Sequence, residues 1–167
     1  MPNNLYTFLT EWRVEAPREM VYEILKEGRD YPRWWPDVYL AATHHGSGLS
    51  DGIGDRIDFH TRGRLPYRLH WTAEAISHER PHTIEIAATG DFVGNGRWTL
   101  SEATTGTDIR FDWVIRAEKP LIRLLSPVLK PIFRWNHEWA MGRGLIRLKA
   151  ELTRRQNAEK GVSGAPK

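Results

Sequence analysis

The 167-residue chain contains no cysteine, which excludes a disulfide framework, a thiolate metal site and a cysteine nucleophile together. Long apolar runs are missing as well. Uncharged apolar stretches extend only a few residues, far short of the roughly 20 that a membrane-spanning helix needs, and the start MPNNLYTF lacks the basic-then-apolar layout of a secretory signal. The expectation is a soluble, cytoplasmic protein. No His-Glu-x-x-His motif, P-loop or dinucleotide glycine fingerprint is present, and Gly94-Asn-Gly96 lacks the following helix that a phosphate-binding loop requires. Net charge is also scarce. The formal +3 resides in residues 149–167, where five Lys and Arg face two acids, so residues 1–148 are neutral. A neutral body argues against a nucleic-acid footprint, and no nucleic-acid partner is expected.

What the chain does have is one domain's worth of ordinary composition, 40% hydrophobic and 27% charged, with eight tryptophans as the outlier. Large rings with one polar edge suit either a bulky core or the wall of an apolar pocket. Tyr6 to Val14 alternates as a half-buried strand does, with Tyr6, Phe8, Trp12 and Val14 on one side. Ala16-Pro17 then opens a short amphipathic helix, with Val21, Ile24 and Leu25 on its apolar stripe and an end near Gly28. The two prolines of Tyr31-Pro-Arg-Trp-Trp-Pro36 predict a rigid aromatic connector, outside any regular helix, that plugs one end of the core. Six more strands are expected, near 38–45, 54–63, 66–78, 82–90, 94–102 and 107–116, separated by turn residues in an antiparallel meander. Tyr67, Leu69, Trp71, Ala73 and Ala75, and later Ile109, Phe111, Trp113 and Ile115, mark a dry face.

After Lys119 the pattern changes. Prolines 120, 127 and 131 are expected to break an apolar stretch into a hinged flap whose basic residues face outward, and a helical period begins at Phe133. Residues 1–155 form the expected domain, and 156–167 a flexible tail. Only the long C-terminal helix can cover the dry face, so the fold class is α+β, a curved seven-stranded antiparallel sheet gripping that helix. The strand ending Val14-Glu-Ala-Pro17, then Val21-Tyr-Glu-Ile-Leu25 and Tyr31-Pro-Arg-Trp-Trp-Pro36, resembles the opening of the START-like SRPBCC superfamily, and most closely its polyketide cyclase/dehydrase and lipid-transport branch. The resemblance covers roughly residues 5–153. It implies a helix-grip fold shared by lipid carriers, hormone receptors, aromatase/cyclases and oxygenase subunits, and so leaves activity open.

A hairpin turning at Asp91 to Val93 would set Ile84 opposite Leu100, Ile86 opposite Trp98 and Ala88 opposite Gly96. Bulk then falls toward the turn, which predicts a hollow near Ala88 and Gly96; the other reading is that these glycines mark β-bulges. The residues expected to wall a ligand are Phe59, Tyr67, Leu69, Trp71, Ile86 and Ala88 from the first strands. Gly96, Trp98, Phe111, Trp113, His137 and Met141 complete the set. His137 lies on the helix's apolar stripe, where it is either a core histidine with a hydrogen-bond partner or a group that touches ligand or moves protons. Tyr67 and Trp113 carry polar tips suited to orienting one end of an apolar molecule, Asn136 is a possible second polar contact, and Asp91 reads as a turn residue. His44 and His45 point to opposite faces, and His60 with His70 has no third ligand, so neither a metal nor a cofactor is expected. Three functions fit: binding or transfer of an apolar or aromatic small molecule or lipid, a cyclase/dehydratase in which His137 and Tyr67 serve catalysis, or an accessory protein. The accessory protein would dock on a membrane or partner; separately, the flap Lys119 to Arg134, carrying four basic residues and no acid, is expected either to gate the pocket and touch anionic membranes transiently during loading or simply to pack its apolar residues on the sheet edge. Oligomeric state is not readable.

Overall fold

The computed structural model describes residues 4–164. Strand β1 (Leu5–Val14) is followed by helix α1 (Arg18–Lys26), a 3₁₀ turn at Gly28–Asp30 and the single-turn helix α2 (Tyr31–Trp34). Then come β2 (Tyr39–His45), β3 (Arg56–Arg62), β4 (Arg68–Glu79), β5 (Thr83–Gly90), β6 (Phe92–Glu102), β7 (Thr107–Ala117) and the 44-residue α3 (Pro120–Ser163). All seven strands begin and end within two residues of the alternating segments, because a period of two is legible wherever one face is dry. They form one antiparallel sheet in the order β1-β7-β6-β5-β4-β3-β2, a meander closed by β1 returning beside β7. At the β6–β7 turn, Gly106 adopts φ +96°, and a side chain there would run into the backbone of Val14 and Glu15. Among the described residues no helix is long and apolar enough to cross a membrane.

The connector departs from expectation. Residues 31–34 do form one helical turn, because Pro32 occupies its first positions, where a missing N–H removes no helical bond. The plug is nevertheless aromatic and buried. Tyr31, Trp34 and Trp35 are at most 6% exposed, and Trp35 meets Trp12 edge-on at 6.1 Å. Gly144 of α3 makes room for the Trp35 ring, where any Cβ would lie less than 3 Å from its carbons. Two carboxylates clasp this corner to α3. Asp37 accepts hydrogen bonds from Arg147 at 2.6 Å and Arg143 at 3.3 Å, and the buried Glu151 accepts from Arg33 at 2.6 Å, Arg154 at 2.8 Å and Arg155 at 2.9 Å.

The C-terminal helix is the largest correction. It runs unbroken through Pro127 and Pro131, so the hinged flap does not exist. Both prolines lie on the exposed side, where the carbonyls left without helical donors at Arg123 and Pro127 face water instead of the core. The charges of this stretch are also not simply outward: Lys119 Nζ donates to the Arg68 carbonyl at 2.7 Å, and Lys130 sits 5.7 Å from the centre of the Tyr6 ring. Arg123 and Arg134 do face outward, beside apolar Leu121, Leu124 and Val128, all more than 60% exposed. The helix also continues past Arg155 through residues assigned above to the tail, to Ser163, since Gln, Ala, Glu and Lys are good helix formers that need no burial to extend an existing helix. Residues 165–167 lie outside the described residues.

Candidate functional site

The β5–β6 hairpin pairs Ile84 with Trp98, Ile86 with Gly96 and Ala88 with Gly94, two residues away from the expected register. A shift of two preserves which side chains point inward. It does move the small residues, and the hollow is not at Ala88 and Gly96. A Cβ on Gly96 would lie 2.7 Å from the Trp113 ring and 3.1 Å from Phe111, so the space the glycine leaves is filled by its neighbours on β7. Trp98 stacks on Phe111 at 4.2 Å and Phe111 on Trp113 at 5.6 Å, a ladder that Gly96 permits. Nor do glycines mark the bulges: the ladder irregularities fall between Tyr39 and Ala41 and between Ala75 and Ser77.

A cavity of about 490 Å³ lies instead between the β3–β4 half of the sheet, the 3₁₀ corner after α1, and α3. Its aromatic walls include Phe59, Trp71, Phe111 and Trp113, with Tyr31 and Tyr39 from the connector. The room comes from small inward residues, Ala73 and Ala75 on β4 and Ala140 on α3. Gly28 lets the corner close over it, since a Cβ there would press on Ile57 at 2.7 Å and Phe59 at 3.2 Å. Of the residues expected to wall a ligand, Phe59, Tyr67, Leu69, Trp71, Ile86, Trp98, Phe111, Trp113, His137 and Met141 meet in this cavity, while Ala88 and Gly96 stand outside it. Tyr39, Ile57, Thr61 and Ala140 were missed. The available signal was the pair of alanines after Trp71, which empties a dry face more effectively than the glycines do.

Charged and polar groups gather at one end of it, where Glu27 and Arg29 after α1 and His44, Asp51, Asp55 and His78 around the β2–β3 loop join the lining, and they are few at the aromatic end. Thr61 accepts a hydrogen bond from Trp71 Nε1 at 3.2 Å, and Tyr31 donates to the Leu25 carbonyl at 2.6 Å. Asn136 is committed to structure: its Oδ1 accepts from the Arg64 backbone N–H at 2.7 Å, tying α3 to the β3–β4 loop where Gly63 leaves it space. Asp91 also serves the fold, accepting from the His70 backbone at 2.9 Å. Tyr67 meets Phe133 edge-on at 6.3 Å, and burial pushes its phenol up to about 12, so it remains protonated. His137 stacks on Phe8 at 4.1 Å, but its buried Nε2 has no hydrogen-bond partner among the described residues, contrary to the expectation that it would find one. Burial lowers its pKa to about 4.

His137 therefore presents a neutral ring. Because the unfolded chain binds that proton near pH 6.5 and the folded chain only near 4, stability falls as pH drops from 6.5 toward 4. NMR of the imidazole nitrogens is expected to show His137 unchanged between pH 7.5 and about 5. A midpoint near 6.5 would mean a solvated ring.

Of the remaining histidines, His44 and His78 stand at the polar end of the cavity lining. His44 and His45 pair separately with Asp55 at 3.0 Å and Asp58 at 2.9 Å, and His60 stacks on His70 at 4.2 Å on the outer face.

A curved sheet closed by a C-terminal helix over an aromatic cavity is the START-like helix-grip fold. The chain belongs to the polyketide cyclase/dehydrase and lipid transport family, whose pattern matches residues 7–153. The fold resembles the di-domain ARO/CYC BexL of the BE-7585A biosynthetic pathway, with TM-score 0.71 and 15% identity over 90% of this chain and 51% of that one. This chain thus spans about half of that protein. A START superfamily protein from Mycobacterium smegmatis gives TM-score 0.69 at 14% identity, covering 90% and 97% of the two chains. The Zhui aromatase/cyclase from Streptomyces sp. R1128 gives 0.60 at 18% identity, covering 90% and 95%. No protein of curated function matches the sequence.

Proposed function

We infer that the chain binds an apolar or aromatic small molecule, or a lipid chain, in the cavity between sheet and α3. The observation that carries this reading is an aromatic-walled space of about 490 Å³ whose lining includes two buried polar atoms without a hydrogen-bond partner among the described residues, His137 Nε2 and Trp35 Nε1. Interiors are ordinarily packed without such voids, and pockets with mostly apolar walls and a few convergent polar groups take ligands of drug size. A ligand with one hydroxyl or carbonyl would bury its skeleton against Phe59, Trp71 and Trp113 and place that group on His137 or on the Tyr67 hydroxyl.

The second reading is a cyclase/dehydratase using the same cavity, and a specific pairing favours keeping it. His137 is an unprotonated acceptor and the Tyr67 phenol a protonated donor in one lining, although burial moves both away from pH 7 and so weakens the ring as a base and the phenol as an acid. Against it stands the lack, among the described residues, of a carboxylate hydrogen-bonded to His137 to stabilise its charged form. Membrane contact through 119–134 would rest on Arg123 and Arg134 beside the exposed Leu121, Leu124 and Val128, since Lys119 and Lys130 engage protein groups.

Native mass spectrometry of the purified chain tests both readings. A co-purified small molecule at one per chain, released unchanged, is expected for a binding protein. Release of a product lighter by one water, lost in His137→Ala while binding persists, would establish the enzyme. A chain without ligand that also fails to bind the uncharged probe N-phenyl-1-naphthylamine would remove both.

A further inference from the structure

The outward side of α3 carries a second pattern that the cavity does not use. From Leu121, apolar side chains recur at alternating steps of four and three residues, through Leu125, Val128, Ile132 and Trp135. Trp139, the small Gly142 and Ile146 carry the series on, which makes three and a half heptads and about 37 Å of helix. Steps of four and three average 3.5 residues, the spacing of a seam that faces another helix. Among the described residues the seam is covered only in part, where Trp139 packs on the edge of the core and Arg64 lies 5.2 Å over the Trp135 ring. Val128 is 79% exposed, Leu121 62%, and Ile146 56%, and Gly142 has no atom within 4 Å of its Cβ position. The core-facing residues of α3, among them Met141, Leu148 and Leu152, form a separate stripe and are buried.

We propose that this seam is a homodimer interface, in which α3 packs antiparallel against α3 of a second copy. Size complementarity selects the occupant and the direction. Antiparallel pairing with its two-fold axis between Phe133 and Arg134 sets Ile132 against the second copy's Trp135 and Val128 against its Trp139. Leu125 then falls on the second copy's Gly142, and Leu121 on its Ile146, so both tryptophans and Leu125 meet a smaller residue and the outermost pair is matched in size. Parallel pairing would stack Trp135 and Trp139 on themselves and leave a void at Gly142. Charge points the same way. Lys119 to Arg134 carries four cations and no acid, and a parallel pair would lay this stretch along its own copy. The antiparallel pair lays it along residues 133–148, where Arg134 stands with Glu138 and with two arginines that Asp37 engages, so fewer unpaired cations face one another. With Leu124, the exposed seam side chains offer on the order of 600 Å² per copy, which flanking atoms would extend toward the roughly 800 Å² per partner of a standard interface.

A lipid surface is the competing occupant. Two of the four cations that an interfacial helix would set beside its apolar face are turned to the protein, Lys119 to the Arg68 carbonyl and Lys130 over the Tyr6 ring, which leaves only the exposed Arg123 and Arg134 for a headgroup layer.

Sedimentation velocity of the full chain at tens of micromolar is expected to give twice the 19.4 kDa chain mass. Val128→Asp, on a side chain with little to lose in the monomer, is expected to weaken association by ~100-fold or more, since a two-fold interface buries the charge twice. The absence of native cysteine permits a register test that does not depend on that variant. Leu121→Cys/Ile146→Cys is expected to form intermolecular disulfides on mild oxidation, and Leu121→Cys alone to remain monomeric on a non-reducing gel, its two copies being about 37 Å apart. A monomeric wild-type chain at these concentrations overturns the proposal. So does cross-linking of Leu121→Cys alone, or a monomer captured by anionic phosphatidylserine vesicles.

Discussion

Ala140→Trp is expected to abolish 1:1 binding of N-phenyl-1-naphthylamine, weakening it by ~100-fold or more, while leaving the fold intact. Ala140 lies on the cavity side of α3, one turn beyond Asn136, and its methyl group borders the cavity. An indole at this position enters the space that the ligand would need, because the helix backbone closes the other direction. The loss follows from removing the apolar contact area that supplies the affinity, at about 25 cal/mol per Å². Helix propensity changes little, so far-UV dichroism and the unfolding midpoint should stay near wild type. Fluorescence titration reads the effect directly. Probe binding at full strength in folded Ala140→Trp would place the binding site outside this cavity. Gly96→Leu, which the sequence pattern alone would nominate for the same purpose, fails for a physical reason. Its Cβ would collide with the Trp113 and Phe111 rings.

That contrast shows where the sequence is transparent. Strands β1 and β7 pair in unbroken register from Leu5 with Arg116 to Val14 with Thr107, and their alternation exposes every inward residue in advance. The same argument put Trp98, Phe111 and Trp113 on the inner face, although the β5–β6 register was misjudged by two, because a two-residue slip returns each side chain to its own face. What alternation does not carry is which neighbour fills a gap. Gly96 is empty along its own strand and full across it, since the β7 rings lean over it, and only the pairing of three strands reveals that. The site residues from the connector had a different obstacle. Tyr31 lines the cavity because a 3₁₀ turn and one helical turn aim it there, and neither element has a period long enough to leave a trace in the sequence, while Tyr39 opens β2 just before an irregularity that breaks the strand's alternation. The prolines of α3 misled for a third reason. Their cost in a helix is real, but two exposed prolines in a 44-residue helix anchored by Ile122, Met141 and Leu148 remove little compared with what that burial supplies.

Gly144 is the position where the fold tolerates least, and the sign of a mild substitution there is the test. In an open helix, glycine to alanine gains about 1 kcal/mol, because the backbone loses less entropy and a methyl group is added at no cost. Gly142, two residues earlier and with open space around it, is expected to follow that rule: Gly142→Ala should raise stability by up to about 1 kcal/mol in dilute protein. Gly144→Ala is expected to lower it. The added carbon would stand less than 3 Å from three atoms of the Trp35 ring, and that ring is 2% exposed, enclosed by Trp12, Tyr31, Trp34 and Tyr39. A ring held on every side does not move alone. The cost then spreads to the corner that Asp37 and Glu151 clasp onto α3, and Gly144→Val should lose about 3 kcal/mol, at the upper end of what overpacking a core costs. Because Trp35 and Tyr39 also border the cavity, probe affinity should fall along with stability in the valine variant, in proportion to how far the rings are displaced. Urea denaturation followed by tryptophan fluorescence measures both glycines on one scale. Equal stabilisation of the chain by Gly142→Ala and Gly144→Ala would mean that Trp35 does not rest on α3, and the plug would have to close the cavity in some other way.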